Sequence, residues 1–154
     1  MSTTGIKEKT YSIGQVAKMF DLSIPTLRYY DQENLIPRLN KTNSGIRRFT
    51  QDNIDAVRVI ECLKSTGMSI KDIQIFMQKV EQGDSTLNDR LAMFLKLKKQ
   101  VKLQMQELRN TMAMIDFKCD YYGKAVKDGT EKYVKKEMPL SSLKLNDPKN
   151  NHNT

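Results

Sequence analysis

The side chains able to do covalent or coordination chemistry are few: two cysteines, Cys62 and Cys119, and one histidine, His152, in a polar tail. Two distant thiols and one imidazole do not supply the four ligands of a structural zinc site. A Ser-His-Asp relay would have to recruit His152 from that tail. No catalytic residue, metal site or cofactor is expected. The denser chemistry is hydrogen bonding and positive charge. Ser23, Pro25, Thr26, Arg28, Tyr29 and Tyr30 lie close together in the chain, and Lys41, Arg47 and Arg48 follow in a stretch, 35–49, that also carries Arg38 and has no acidic residue. At the start of a helix, small hydroxyls can meet base edges. Cations and phenols one turn further on reach phosphate oxygens, and flanking cations grip the backbone. The plain alternative is a small helical domain with an ordinary basic loop.

The elements that must hold these groups can be read locally. Ser12, with Gln15 three residues later, is a capping box for a helix ending at Phe20, with Ile13, Val16, Ala17 and Phe20 on one face. After Asp21-Leu22, Ser23 caps a second helix that tolerates Pro25 in its first turn and ends near Asn34. It turns Leu27 and Tyr30 inward and leaves Thr26, Arg28 and Tyr29 more outward. Two short helices with a tight connection form a helix-turn-helix. Asn43-Ser44-Gly45 is turn chemistry between loosely alternating flanks, which predicts a two-stranded hairpin, or wing. Thr50 caps a third helix with an apolar face of Ala56, Val57, Val59, Ile60 and Leu63, stopped by Gly67. Ser69 opens a fourth through Ile70, Ile73, Met77 and Val80, ended by Gly83. From Asp84 to Tyr122 there is no Gly or Pro. Leu87, Leu91, Phe94, Lys98, Val101, Met105, Leu108, Met112, Ile115, Cys119 and Tyr122 recur at alternating spacings of four and three, and only Lys98 among them is charged. That repeat predicts a coiled-coil seam on a helix of roughly 55–60 Å, with a second copy of the chain as its cover. The chain therefore divides into a flexible N-terminus (1–10), a winged helix-turn-helix domain (11–83), a dimerisation helix (84–122) and a loosely ordered C-terminal tail (123–154). The fold class is mainly α with a small β-hairpin wing.

Composition agrees with a small domain plus an extension. The chain has 154 residues and a net charge of +8, a basic excess that suits a polyanionic partner. It has no apolar run long enough to cross a membrane and no apolar leader. Two cysteines exclude a disulfide framework and point to a reducing cytosol.

Four segments carry a resemblance. They are Tyr-Ser-Ile-Gly-Gln-Val-Ala-Lys (11–18), Leu-Ser-Ile-Pro-Thr-Leu-Arg-Tyr-Tyr-Asp (22–31), Gly-Ile-Arg-Arg-Phe (45–49) and Leu-Lys-Ser-Thr-Gly-Met-Ser-Ile-Lys-Asp-Ile (63–73). Together they resemble the MerR family of bacterial transcription regulators. The resemblance implies a homodimer joined by an antiparallel coiled coil, acting in the bacterial cytoplasm at the nucleoid. It implies binding to a palindromic operator inside an over-long promoter spacer, where DNA distortion lets RNA polymerase engage both promoter elements. Carried over by motif, the DNA-facing positions are Ser23, Thr26, Arg28, Tyr29 and Tyr30 on the helix, with Pro25 at its start, and Lys41, Arg47 and Arg48 on the wing. Many members have Tyr after the wing glycine, where this chain has Ile46, so a phosphate-contacting hydroxyl is missing.

Residues 80–95 contain no cysteine, which speaks against the metal-sensing members. The segment around Cys62, Ile-Glu-Cys-Leu-Lys-Ser-Thr-Gly-Met-Ser, resembles the single-cysteine branch that responds to aldehyde or electrophile stress. Helical geometry turns Cys62 away from the apolar face of the third helix, and Arg58, one turn earlier, is a possible partner for a thiolate. The helix C-terminus opposes that anion. The alternative is a small apolar filler against a partner subunit. Cys119, on the seam, reads as packing, and Met77, Met105 and Met112 read as adaptable core. Two rival functions stay open: a regulator of the same family triggered by abundance or a partner protein, and a coiled-coil adaptor that does not bind DNA.

Overall fold

Ser12 starts the first helix as its spacing predicts. In a computed structural model of the chain, which describes Gly5 and residues 7–146, the Gln15 N–H donates to Ser12 Oγ (3.2 Å) and the Ser12 N–H donates to Gln15 Oε1 (2.9 Å). Helix α1 (Ile13–Phe20) ends at Asp21, whose φ of 52° a short acidic residue tolerates. The Leu22 N–H closes that turn on the Ala17 carbonyl at 2.9 Å. Ser23 caps α2 (Ile24–Gln32), with Pro25 in the first turn, where no N–H is needed. The helix stops slightly before the expected Asn34, because Asn34 itself takes a left-handed φ of 56°.

Strands β1 (Asn40–Lys41) and β2 (Arg47–Arg48) pair antiparallel, with Asn40 opposite Arg48 and Lys41 opposite Arg47. The tip is closed by the Thr42 N–H on the Ile46 carbonyl (2.8 Å), and Gly45 supplies the positive φ of 83° that the turn requires. Tyr11 and Phe49 exchange backbone hydrogen bonds at 2.8 and 2.9 Å, so the chain just before α1 backs the end of the wing.

Thr50 caps α3 (Gln51–Ser65) and Ser69 caps α4 (Ile70–Gln82). Val16, Leu27, Tyr30, Leu35, Phe49, Val57, Ile60, Leu63 and Ile73 are wholly buried and form the core beneath the two short helices and the wing. Each large apolar side chain buried this way contributes on the order of 1.5–3 kcal/mol. A 3₁₀ turn, Gly83–Thr86, leads into α5 (Leu87–Asp128). Arg90 holds that turn by donating to the Gly83 carbonyl (3.0 Å) and to Thr86 Oγ1 (3.1 Å).

The chain forms two compact units, divided after Met93. In the second, α5 runs through Gly123 and ends at Asp128, before Gly129 with φ 68°. This corrects the expectation of a loose tail from residue 123. One glycine inside a helix costs only about 1 kcal/mol, which the burial of Tyr121, Ala125 and Val134 with Met138 packed on them offsets. Val134 opens α6 (Val134–Glu137). Further on, Asn110 Nδ2 donates to the Asn146 carbonyl (2.7 Å), and the Asn146 N–H donates back to Asn110 Oδ1 (3.1 Å). His152 lies outside the described residues.

The seam positions on α5 stand uncovered in one chain. Leu87, Leu91, Phe94, Met105, Leu108, Met112, Ile115 and Tyr122 are all exposed, as is Cys119. Met77, by contrast, is buried core. Among the described residues no helix is long and apolar enough to cross a membrane.

Asn53 is the polar pin of the first unit. It is 2% exposed. Its Oδ1 accepts from the Thr50 N–H (2.8 Å), and its Nδ2 donates to the Pro37 carbonyl at the root of the wing (2.8 Å). Asn53→Ala should lower the unfolding free energy by about 2 kcal/mol, as expected when buried backbone groups lose their partner. Asn53→Asp should be comparably damaging, because a carboxylate cannot donate to Pro37. Urea titration checks both, and a loss under about 0.5 kcal/mol would contradict the role.

Candidate nucleic-acid interface

Helix α2 has two sides of different character. Leu27 and Tyr30 are buried, whereas Ser23, Pro25, Arg28 and Tyr29 are exposed and Thr26 is half-buried. Ser23 Oγ and Thr26 Oγ1 are 2.8 Å apart, and Ser23 Oγ also accepts from the Thr26 N–H at 3.2 Å. The first turn thus offers a compact pair of hydroxyls beside an exposed cation and phenol.

Tyr30 does not belong to that surface, which corrects the motif-based assignment. Its ring is wholly buried. The hydroxyl donates to Glu61 Oε1 (2.5 Å) and accepts from Lys64 Nζ (2.6 Å), both on α3. Burial, and then the hydrogen bond and charge of Glu61, push the Tyr30 hydroxyl well above the ordinary phenol range. Tyr30 is a strut from α2 to α3, unable to reach a phosphate.

The wing is fixed to α2 by one carboxylate. Asp31 Oδ2 accepts from Arg47 Nε at 2.8 Å and lies 3.0 Å from Lys41 Nζ. Burial alone would raise the Asp31 pKa. The hydrogen bonds and positive charges of Arg47 and Lys41 outweigh it and hold the carboxyl below its usual range. Arg47 and Lys41 face each other across the hairpin, so Asp31 ties both strands at once. Arg47 is half-buried, and its first partner is within the protein. Arg48 and Arg38 are exposed. Ile46 sits exposed at the tip, where its side chain adds no hydroxyl.

Cys62 is exposed in the last turn of α3. The suggested thiolate partner has another neighbour, since the Arg58 guanidinium lies 5.6 Å from the Phe20 ring centre, over α1. Cys62 instead follows Glu61 directly and precedes Lys64 by two residues, the two side chains that grip the Tyr30 hydroxyl.

The sequence reading missed Asp31, Glu61, Lys64 and Asn53. For Asp31 there was a signal: four cations in a stretch without an acid need a counter-charge from elsewhere, and the nearest carboxylate upstream that follows a buried helix position is Asp31.

The sequence profile of the MerR HTH family of regulatory proteins matches residues 11–80. An uncharacterised HTH-type transcriptional regulator of Haemophilus influenzae is 38% identical over 125 residues, 81% of this chain and 93% of that protein. HiNmlR, described as a MerR family regulator lacking the sensor domain and crystallised bound to promoter DNA, is 37% identical. It superposes with a TM-score of 0.73 over 81% of this chain and 99% of its own. A MerR-family regulator from Bacillus thuringiensis is 36% identical with a TM-score of 0.67, covering 73% of this chain and 98% of its own.

The Asp31 clamp makes a pH prediction. A carboxyl held below its unfolded value stabilises the fold above that value, about 4, and the contribution fades as the pH falls through the folded value. Asp31→Asn should therefore cost about 1–2 kcal/mol at pH 7, and the gap to the parent protein should shrink as the pH is lowered below 4. Urea titrations across that range test this, and a gap that widened with acid would exclude the clamp.

Proposed function

The chain belongs to the MerR family and is a DNA-binding transcription regulator, and from that premise we propose how it meets DNA and what triggers it. It works as a homodimer, in the bacterial cytoplasm at the nucleoid, on a palindromic operator inside an over-long promoter spacer. Ser23, Pro25 and Thr26 face base edges, Arg28 and Tyr29 take phosphates beside them, and Lys41, Arg47 and Arg48 grip the flanking backbone. The observation that carries this reading is the Asp31 clamp, which holds the cationic wing beside the exposed side of α2 before DNA arrives. Paying little ordering cost on binding is what preorganisation means. The second copy covers the exposed apolar stripe of α5 and links two half-sites. Distortion of the spacer lets RNA polymerase engage both promoter elements, so polymerase is reached through the DNA.

The trigger is Cys62, answering aldehydes and related electrophiles. With an aldehyde, sulfur bonds to the carbonyl carbon and the thiol proton ends on the carbonyl oxygen, giving a hemithioacetal without any further reactant. Exposure of the thiol supports access. Its place between Glu61 and Lys64 supports coupling, because both side chains hold Tyr30 of the recognition helix. A second route runs through residues 65–67 into α4. A bias of a few kcal/mol between two dimer states suffices to switch output.

Arg48→Ala should weaken specific and random DNA alike and reduce the salt slope of binding by about one. Thr26→Ala should mainly change sequence preference. A measured slope unchanged by Arg48→Ala would remove it from the phosphate set.

For the trigger, limiting aldehyde should modify Cys62 before Cys119, as peptide mass mapping reads, and a Cys62→Ser strain should lose induction while its protein still binds the operator. Full aldehyde induction in that strain would overturn the thiol trigger and leave DNA binding standing.

A further inference from the structure

We propose that a cavity between the root of the wing, α3 and α4 is a binding site for an amphiphilic organic cation, a compact apolar body bearing an ammonium group. The cavity measures about 610 Å³, within the size range of small-ligand sites. Its buried and half-buried lining, the floor, is mostly apolar, with Val59 from α3, Phe76, Met77 and Val80 from α4, and Pro37 from the wing root, beside the polar Thr50 and Asn53. Its rim carries four carboxylates, Glu8, Asp52, Asp55 and Glu81, against one cation, Arg38. Among the described residues no salt bridge engages any of those four acids. Asp55 accepts from a neutral donor, Gln51 Nε2, at 3.0 Å.

The charge contrast decides the ligand class. The whole chain carries +8, whereas the rim carries four negative charges and one positive. An anion would be repelled, and a bare inorganic cation would gain nothing from the apolar floor. An ammonium group set among the rim acids, with its hydrocarbon on Val59, Met77 and Val80, uses both features. Filling the space touches the wing root at Pro37 and the face of α4 that continues into the turn before α5. Occupancy would therefore bear on wing placement without thiol chemistry. That regulatory consequence rests on the DNA-regulator reading, but binding itself does not.

The probe pair is 4-phenylbutylammonium and its uncharged counterpart, 4-phenylbutanol, which differ only at the head group. Titrated into the full-length protein and followed by methyl NMR, the amine should saturably shift the Val59, Met77 and Val80 signals. The alcohol should bind at least tenfold more weakly. The double variant Asp55→Asn, Glu81→Gln should lose at least tenfold in amine affinity and keep its melting temperature and operator affinity. Equal binding of amine and alcohol, or an unchanged double variant, would overturn the proposal. So would intermolecular contacts from a second copy to the Val59 and Val80 methyls, since the cavity would then be filled by protein. Amine binding that leaves operator affinity and wing signals untouched would retain the site and remove its regulatory role.

Discussion

The arrangement of α2 and the cationic wing depends on a single negative charge. The hairpin has two short strands, too little for independent stability, and its cations repel one another. Asp31 resolves both problems, since it draws Lys41 and Arg47 to one oxygen and fixes the hairpin against the end of α2. Because the carboxylate is half-buried, the attraction is screened less than a surface pair would be. Tyr11 and Phe49 supply the backbone side of the same anchoring, and the buried Phe49 ring makes it a core contact as well.

α2 must itself be immobile for this to matter, and its inward side is fastened at three heights. Leu27 packs in the core, Tyr30 is held by Glu61 and Lys64, and the Glu33 carbonyl accepts from Gln74 Nε2 of α4 at 2.8 Å. The Lys64 ammonium also lies 5.0 Å from the centre of the Tyr30 ring, so charge, hydrogen bond and ring share one spot. Side chains on the outward face are then presented from a rigid support. That division of labour explains why neighbouring tyrosines in one motif have opposite fates: Tyr29 is exposed, while Tyr30 is a structural tie.

The caps at Ser12, Ser23, Thr50 and Ser69 were legible because a cap depends on residues three apart. The fold class and the exposed set on α2 were legible for a similar reason, since period and turn residues are local. Chemical type and motif point Tyr30 to a phosphate, whereas the helical spacing places it beside Leu27. Its true partner is 31 residues away, a separation no local pattern covers. For Asp31 the unbalanced wing charge calls for a carboxylate, but the pairing itself spans 16 residues to Arg47 on a hairpin whose placement is a tertiary matter. Gly123 and Gly129 suggest a loose tail, because glycine advertises a break whether or not the next turn finds something to bury. Val134, wholly buried against Tyr121 and Ala125, is what that reading lacked.

The bare stripe on α5 has a consequence for the life of each newly made chain. Leu91, Leu108 and Met112 are each more than half exposed along one continuous helix, and contiguous apolar surface of this kind is an aggregation liability as well as a docking face. For as long as that stripe is uncovered it is the part of the chain most open to chaperones and to non-specific association.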